Sequence, residues 1–169
     1  ALNNFEFNLE EFENQLDRYI DMFKMALAEQ KLNELSKMIE NLVDKQNELT
    51  NQINDQSPDL NMLNSKANKQ EQKYNNFKKL MEEAINDISN VSEDTSQKLE
   101  SLSTDSIIED TSQKLDEVKQ GLSKENMNEA TQSAENTYEN LEEIKEQINK
   151  IQEEFIGQEM QEIVNRFFI

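Results

Sequence analysis

LNELSKMIENLVDKQNELTNQI, residues 32–53, and LNMLNSKANKQEQKYNNFKKLMEEAINDISNV, residues 60–91, decide the fold of this chain. In both segments an apolar residue recurs every three or four positions, or after seven across one polar position. This spacing is typical of a coiled-coil seam, because about 3.5 residues per repeat keep one stripe of a helix facing its partner. Between the segments, Ser57 is predicted to cap a helix and Pro58 to occupy its first position. We therefore predict an antiparallel hairpin, since helices joined by few residues fold back on each other.

The composition also favours long, narrow helices. Hydrophobic residues make up 34% of the 169 residues, below the roughly 45–50% apolar content of an average globular domain. A seam needs only about two apolar residues in seven, so this content suits rods and flat bundles better than a large spherical core. Glycine occurs twice and proline once, and both destabilise helix interiors. We predict an all-α fold of long antiparallel helices, packed as a coiled-coil hairpin or elongated helical bundle.

The charge bears on the class of partner. The chain carries 36 acidic and 17 basic residues, which gives a net charge of −19. Such a surface repels nucleic-acid phosphates and anionic lipid headgroups, and no basic cluster interrupts it. We predict a protein partner, which is a second copy of this chain, another helical protein or the missing part of the parent chain. We predict no nucleic-acid partner, and we do not expect membrane contact through this segment itself.

The residue types that common catalytic and metal sites need are missing. Histidine and cysteine are both absent, which excludes Ser-His-Asp and Cys-His catalysis, zinc sites with imidazole or thiolate ligands, and disulfides. A di-iron carboxylate site in a helical bundle needs Glu-x-x-His on two helices. Adjacent glutamates point about 100° apart on a helix and do not chelate one ion together. We predict no enzymatic activity, no cofactor and no metal site.

The first segment carries an apolar stripe of its own, which the pattern predicts to begin after a helix cap at Asn8. Its members are Leu9, Phe12, Leu16, Tyr19 and Phe23. The pattern then slips into a new register that starts at Met25. Because no glycine or proline lies there, we predict one helix of more than forty residues. The slip in its apolar pattern either changes the supercoil or turns the apolar face toward another partner. Residues 1–91 are thus a hairpin of helices at about 9–54 and 58–91.

Residues 92–105 are rich in Ser, Thr and Asp and contain the heptapeptide EDTSQKL at 93–99, which recurs unchanged at 109–115. We interpret the repeat as a local duplication in a solvent-facing stretch. We predict a connector over 92–105, with a break around residues 101–105.

A second helical pair is predicted over residues 106–156. Gly121 has the pattern of a residue just past a helix end, and Ser123 that of the cap of the next helix. Ala130 and Ala134 on that next helix predict a close approach by its partner. Gly157 is expected to end or bend the helix. We interpret residues 157–169 as the start of a further apolar helix that continues in the full protein.

Apolar residues at the slip and near the C-terminal end are candidates for pairing with another helix. These candidate interaction residues are Phe23, Met25, Phe167 and Phe168. The aromatic group of Phe5, Phe7, Phe12, Phe167 and Phe168 is either core or a patch that meets a partner. The three tyrosines that fall on apolar stripes, Tyr19, Tyr74 and Tyr138, are predicted to be core residues.

Two amides fall on the seam of the hairpin. Gln46 is expected to lie opposite a position near Ala67, and Gln70 opposite a position near Leu42. Polar residues at such positions fix the pairing register at a cost in stability. The alternative is that the seam is shallow there and the amides are hydrated.

LDRYIDMFKMALAEQKLNELSKMIENLVDKQNEL, residues 16–49, and LSKENMNEATQSAENTYENLEEI, residues 122–144, together form about a third of the chain. They resemble the Gln- and Glu-rich helical region of very large bacterial membrane-anchored proteins, known only as a domain-of-unknown-function family. In that family a Leu-Ser-Lys-type turn precedes a helix with Ala at seam positions. The resemblance implies a periplasmic or extracytoplasmic domain of a larger bacterial envelope protein. It implies nothing catalytic.

These observations predict a non-catalytic structural or protein-interaction module that acts by helix-face packing. One alternative is a peripheral amphipathic helical bundle that binds lipid, although its polar faces are poor in Lys and Arg. A second alternative is an accessory subunit of an enzyme or secretion complex.

Overall fold

The computed structural model describes the backbone of residues 2–168 and the side chains of residues 8–166. The residues described form five α-helices and no strand. In chain order the helices are α1 (Leu2–Ile53), α2 (Leu60–Ser89), α3 (Glu93–Ser103), α4 (Ser106–Ser123) and α5 (Met127–Phe168). The predicted all-α bundle of long antiparallel helices is therefore confirmed.

The first two helices, α1 and α2, form the predicted antiparallel hairpin. Cross-helix hydrogen bonds join Lys66 to Glu48, Gln70 to Leu42 and Lys73 to Asn41. At the start of α2, the Asp59 carboxylate accepts hydrogen bonds from the backbone N–H groups of Asn61 and Met62. The cap is Asp59 and not the predicted Ser57, because a cap must directly precede the helix to reach those N–H groups. The predicted cap at Asn8 is also wrong, since α1 already includes Asn8.

The long last helix, α5, packs along α1 in the opposite direction. The hydrogen-bonded pairs are Thr131 with Asn54, Ala134 with Gln46 and Thr50, Asn149 with Ser36, and Arg166 with Asp21. Because α5 passes through Gly157, the expectation that Gly157 ends this helix, and that residues 157–169 start another, is wrong. One glycine costs a helix only about 1 kcal/mol, which is too little to end a helix between good helix formers.

Helices α3 and α4 together form one column of the bundle, antiparallel to α2. The contacts with α2 join Ser96 to the Ile85 carbonyl, Tyr74 to the Ile108 carbonyl, and Lys119 to Glu71. The connector predicted over residues 92–105 is wrong, since α3 occupies most of it. The break predicted around residues 101–105 is confirmed, because Thr104 and Asp105 interrupt the column. Ser92 caps α3 and Asp105 caps α4 through their side-chain oxygens. The Ser, Thr and Asp content therefore marks caps rather than a loop.

The EDTSQKL repeat places equivalent residues of α3 and α4 in the core. The positions that are buried in both copies and their continuations are Thr95, Leu99 and Leu102 in the first and Thr111, Leu115 and Val118 in the second. The copies start 16 residues apart, at positions 93 and 109. Fourteen of the 16 residues are two heptads, which return a helix to about the same face. The other two correspond to the break at Thr104 and Asp105. The interpretation of the repeat as solvent-facing is therefore wrong.

Gly121 allows close packing and does not end a helix. Helix α4 continues to Ser123, and the residue with positive φ is Glu125, at 56°. Asn126 precedes α5 and caps it through its side-chain oxygen, so the predicted roles of Gly121 as helix end and Ser123 as cap are both wrong. A Cβ atom on Gly121 would lie 2.7 Å from the backbone nitrogen of Ala130. The close approach predicted at Ala130 is thus confirmed.

The core consists of two hydrophobic clusters along the bundle. The larger cluster takes residues from all five helices, including Leu32, Ile39, Phe77 and Ile148. The smaller cluster lies near the α1–α2 and α4–α5 turns and includes Leu49, Leu63, Leu122 and Ala130. In sequence, a layer of buried polar residues falls between the clusters on α1, α2 and α5: Gln46, Gln70 and Thr137.

Candidate interaction surface

Two apolar stripes run along opposite sides of α1. At about 100° per residue, the apolar residues of the first stripe fall within an arc of roughly 80°. They are Leu9, Phe12, Leu16, Tyr19 and Phe23. The second stripe starts at Met25 and lies roughly 170° away around the helix. The slip between Phe23 and Met25 therefore turns the apolar face of the same helix to its opposite side.

The first stripe is exposed and the second is buried. The exposed fraction is 60% for Phe12, 67% for Tyr19 and 66% for Phe23, whereas Leu32 and Leu35 are fully buried. Two further exposed residues, Ile20 and Leu27, extend the first stripe on the same side. We name this surface the outward stripe, and its members are Leu9, Phe12, Leu16, Tyr19, Ile20, Phe23 and Leu27.

Helix α5 lies against the other side of this part of α1. A guanidinium nitrogen of Arg166 lies 3.2 Å from a carboxylate oxygen of Asp21. Asp21 projects on the side of α1 that carries the buried register, so the outward stripe faces away from α5. Near this end, α5 itself exposes Ile156, Met160 and Val164.

The four interaction residues chosen from the sequence do not share one surface. Phe23 lies on the outward stripe, but Met25 is buried in the bundle, so its assignment to an exposed surface is wrong. The slip in the apolar pattern lies between Phe23 and Met25, so their side chains project from different sides of α1. The side chains of Phe167 and Phe168, like those of Phe5 and Phe7, lie outside the described residues.

The three tyrosines on apolar stripes lie in different environments. Tyr74 is fully buried and Tyr138 packs partly buried against the core, as predicted. Tyr19 is exposed, so its prediction as a core residue is wrong. The signal in the sequence is the spacing of nine residues between Phe23 and Leu32, where a continuous seam would have seven. Nine residues do not return a helix to the same face.

Charge is distributed unevenly along this part of α1. Residues 9–15 include three acidic residues: Glu10, Glu11 and Glu13. Residues 17–24 include two acidic and two basic residues: Asp17, Arg18, Asp21 and Lys24. Arg18 and Asp21 project from the side of α1 away from the outward stripe.

The seam amides Gln46 and Gln70 are both buried, so the alternative that they are hydrated at a shallow seam is wrong. Gln70 Nε2 donates a hydrogen bond of 2.6 Å to the Leu42 carbonyl, at the position predicted for it. Gln46 Nε2 donates to the carbonyl of Ala134 on α5 at 3.2 Å. The Gln46 Oε1 atom has no hydrogen-bond partner among the described residues. That these amides set the pairing register stays a prediction.

Several charged side chains near the grooves of the bundle are paired with one another. In the groove between α3 and α5, the Lys98 amine lies 2.7 Å from Asp94 and 2.6 Å from Glu154. The hydrogen bond from Lys98 is the main cause that lowers the pKa of Asp94. Between α1 and α2, hydrogen bonds from Lys66 and then Lys45 lower the pKa of Glu48 to about 2. These pairs hold both partners charged and resemble the surface ion pairs of many helical proteins.

One carboxyl group has the opposite perturbation. Burial raises the pKa of Glu159 on α5, and the charge of Glu29 on α1 raises it further. The two glutamates lie where the outward-facing part of α1 joins the bundle. The facing carboxyl groups therefore weaken this junction when both are ionised.

Within residues 8–166, no group of three or more His, Cys, Asp or Glu side chains is placed to hold a metal ion. The helices described contain no segment with the length and hydropathy of a membrane span. Comparison with protein-family models, curated proteins and solved structures finds no match to this chain.

Proposed function

We propose that this chain is a non-catalytic protein-interaction module that docks an amphipathic helix of a protein partner on its outward stripe. The observation that carries the proposal is the exposure of seven large apolar side chains along one side of α1, from Leu9 to Leu27. Soluble monomers seldom expose a contiguous apolar patch of more than a few hundred Å², and larger patches mark interaction sites. The bundle formed by the remaining helices positions this stripe.

The spacing of the stripe supports a helix as the ligand. Leu9, Leu16 and Phe23 are separated by seven residues, and Phe12 and Tyr19 lie between them. A second helix with apolar residues at matching intervals would bury this row by coiled-coil packing. The stripe is already exposed on α1 and is not part of the core, so docking requires no rearrangement of the core.

The charge next to the stripe favours protein over lipid. Amphipathic helices that lie on membranes carry Lys and Arg on their polar faces, which attract anionic headgroups. Here five acidic residues and only two basic ones accompany residues 9–24. A vesicle flotation assay with neutral and with anionic lipids separates the two functions. The protein-docking proposal requires that the chain stay with the soluble fraction in both cases.

A selection from a displayed library of helical peptides tests the docking function directly. We expect enrichment of peptides with heptad-spaced apolar residues, and loss of their binding in Leu16→Glu. Asn14→Glu is the matched control, because it adds the same charge to the same exposed helix on the opposite side. Binding that is equal in the two variants, or no enrichment at all, contradicts the proposal.

The similarity of residues 16–49 and 122–144 to envelope-protein helical regions supports a location for this module. We propose that it acts outside the cytoplasm as a part of a larger anchored protein. Protease accessibility of the chain in intact cells tests the location, since a cytoplasmic chain would be protected.

A further inference from the structure

We infer that the partner helix on the outward stripe extends into the groove between α1 and α2, and that it carries acidic side chains there. This inference rests on the docking function proposed above and names the chemistry of the partner. Three observations support it: the groove continues the stripe, the charge that lines the groove is opposite to that of the whole chain, and the central lysines of the groove have no acidic partner within the part of the chain described.

The groove continues the outward stripe along α1. It consists of adjoining depressions, the two largest of about 790 and 710 Å³. The first contains Leu27, the last member of the stripe; it shares Glu34 with the second, and the second shares Lys73 with a third. Beyond Leu27, α1 residues line the groove at intervals of three or four, as in the stripe: Lys31, Glu34, Met38, Asn41 and Lys45. One straight helix can therefore contact both surfaces.

The middle of the groove has an apolar floor. Met38 and Leu80 pack partly buried against the core, and the buried Leu42 also lines this part of the groove. A groove with apolar side chains at its floor and polar ones at its rims matches the two faces of an amphipathic helix. The apolar face of the docked helix meets the floor, and its polar sides meet the rims.

The rims of the groove reverse the charge of the chain. Acidic residues outnumber basic ones by 36 to 17 in the whole chain, whereas eight lysines and four acidic residues line this groove. The groove between α3 and α5, by contrast, is lined by three acidic residues and two lysines. The expectation that no basic cluster interrupts the acidic surface is therefore wrong, because packing brings together lysines from two helices.

Four lysines at the middle of the groove have no acidic partner. Of the four carboxylates that line the groove, two lie near the Lys31 amine and one pairs with Lys45 and Lys66. Within the described residues no ion pair involves the lysines of the middle part, which are all exposed: Lys37, Lys69, Lys73 and Lys79. Acidic side chains of a docked helix can reach these amines without breaking an existing ion pair.

An acidic helix fits this surface better than a nucleic acid or an anionic bilayer does. A helix needs contact only along the groove, where lysines prevail. A long polyanion or a bilayer would also meet the remaining surface of a chain whose net charge is −19, and that surface repels it.

Binding of designed helical peptides, followed by fluorescence anisotropy, tests the inference. Each peptide is long enough to span from Leu9 to Lys45 and has leucines at heptad spacing. The two members of a pair differ only in one half, where the positions beside the leucines are all Glu or all Gln. One pair carries this half at its N-terminal end and a second pair at its C-terminal end, so that both docking directions are covered.

We expect the Glu peptide of one pair to bind at least about tenfold more tightly than its Gln counterpart at low salt. The advantage should shrink at high salt, because ions screen the exposed charges. Equal affinity within both pairs overturns the inference.

Neutralising lysines locates the effect. The groove variant combines three substitutions of exposed lysines: Lys69→Gln, Lys73→Gln and Lys79→Gln. The matched control removes the same charge outside the groove: Lys124→Gln, Lys145→Gln and Lys150→Gln. We expect the Glu advantage to fall to about threefold or less in the groove variant and to persist in the control. Circular dichroism verifies that both variants are folded. An advantage that is equal in the two variants overturns the inference.

Further binding measurements distinguish failure of this inference from failure of the docking function. Equal binding of both peptides that Leu16→Glu abolishes overturns the acidic helix and leaves docking on the stripe standing. A chain that binds none of the peptides contradicts both. Binding of the Glu peptide that Leu16→Glu leaves intact overturns the extension from the stripe. A single-stranded oligonucleotide or a phosphatidylserine vesicle that binds more tightly than the Glu peptide, and is lost in the groove variant, overturns the acidic helix as occupant.

Discussion

The two parts of α1 have similar apolar spacing and opposite environments. From Ala28 to Ile53 the apolar residues are buried by α2 and α5, whereas from Leu9 to Phe23 they are exposed. Both parts belong to one uninterrupted helix. A slip between Phe23 and Met25 turns the second stripe to the opposite side. The difference in burial comes from the neighbouring helices, because every described residue from Asn8 to Lys24 is exposed on all sides of α1. Apolar periodicity therefore identifies a helix face but does not say whether the chain itself covers that face.

The largest expected effect comes from placing the same charge on each stripe. Leu42→Asp buries a carboxylate among apolar residues and should lower the free energy of unfolding by more than about 4 kcal/mol. Leu16→Asp adds a charge to an exposed position and should change monomer stability by less than about 0.5 kcal/mol. Urea denaturation followed by circular dichroism measures both, at concentrations where the protein is monomeric. Equal destabilisation by the two variants would contradict the division of α1 into core and surface parts.

Replacement of each glycine by alanine compares the packed and open parts of the bundle. Gly121→Ala should lower the unfolding free energy by about 1–3 kcal/mol, because the new Cβ atom would meet the α5 backbone at Ala130. Gly157→Ala should raise the unfolding free energy by about 0.5–1 kcal/mol, since no atom lies within 4 Å of its Cβ position and alanine favours the helix. Thermal unfolding of both variants gives the sign. Stabilisation by Gly121→Ala would mean that α4 and α5 are not in close contact.

The buried amide layer gives a smaller effect within the packed part. Gln46→Leu should raise the unfolding free energy by about 1 kcal/mol, because it removes a buried oxygen that has no partner among the described residues. Gln70→Leu is the matched control, since Gln70 loses a hydrogen bond of 2.6 Å and has no such unpartnered atom. If the amides also fix the register, the two substitutions together should broaden the amide NMR spectrum. A destabilised Gln46→Leu would show that this oxygen is satisfied in solution.

The smallest expected effect lies at the junction of the two parts. The folded pKa of Glu159 is raised from its ordinary value of 4.5, so ionisation of Glu159 disfavours the folded state. This cost is absent below about pH 4.5, where the carboxyl is protonated in both states, and it is complete above the folded pKa. Glu159→Gln should therefore stabilise the bundle by about 0.5 kcal/mol at pH 7 and have no effect at pH 4. Thermal unfolding at the two pH values measures the difference, and a stabilisation that is equal at both would assign it to another cause.

Much of the fold follows from local sequence patterns. The apolar spacing of residues 32–53 and 60–91 predicted the hairpin, and the absence of breakers predicted the length of α1. Errors arose where a residue type serves two purposes. The sequence predicts a connector that includes Ser92 and Asp105, but these residues cap the two helices of one column. It predicts a helix end at Gly121, but this residue permits close contact with Ala130. Both uses of glycine look the same in a sequence.

The candidate surface was predicted only in part. Phe23 was identified because it lies at the slip, but Leu9, Leu16 and Tyr19 were not among the interaction residues. Their spacing is that of core residues, and spacing is a property of one helix alone. Their exposure depends on how far the other helices reach along α1: every described residue from Asn8 to Lys24 is exposed, on all sides of the helix.

The sequence by itself determined the helices, their antiparallel order in the hairpin and the acidity of the surface, because periodicity, helix breakers and charge act over a few residues. The tertiary structure alone decided which apolar stripe became core. It also made α3 and α4 one column and required a glycine at position 121. These properties depend on which helix face meets another helix, and contacts between residues far apart in the chain decide that.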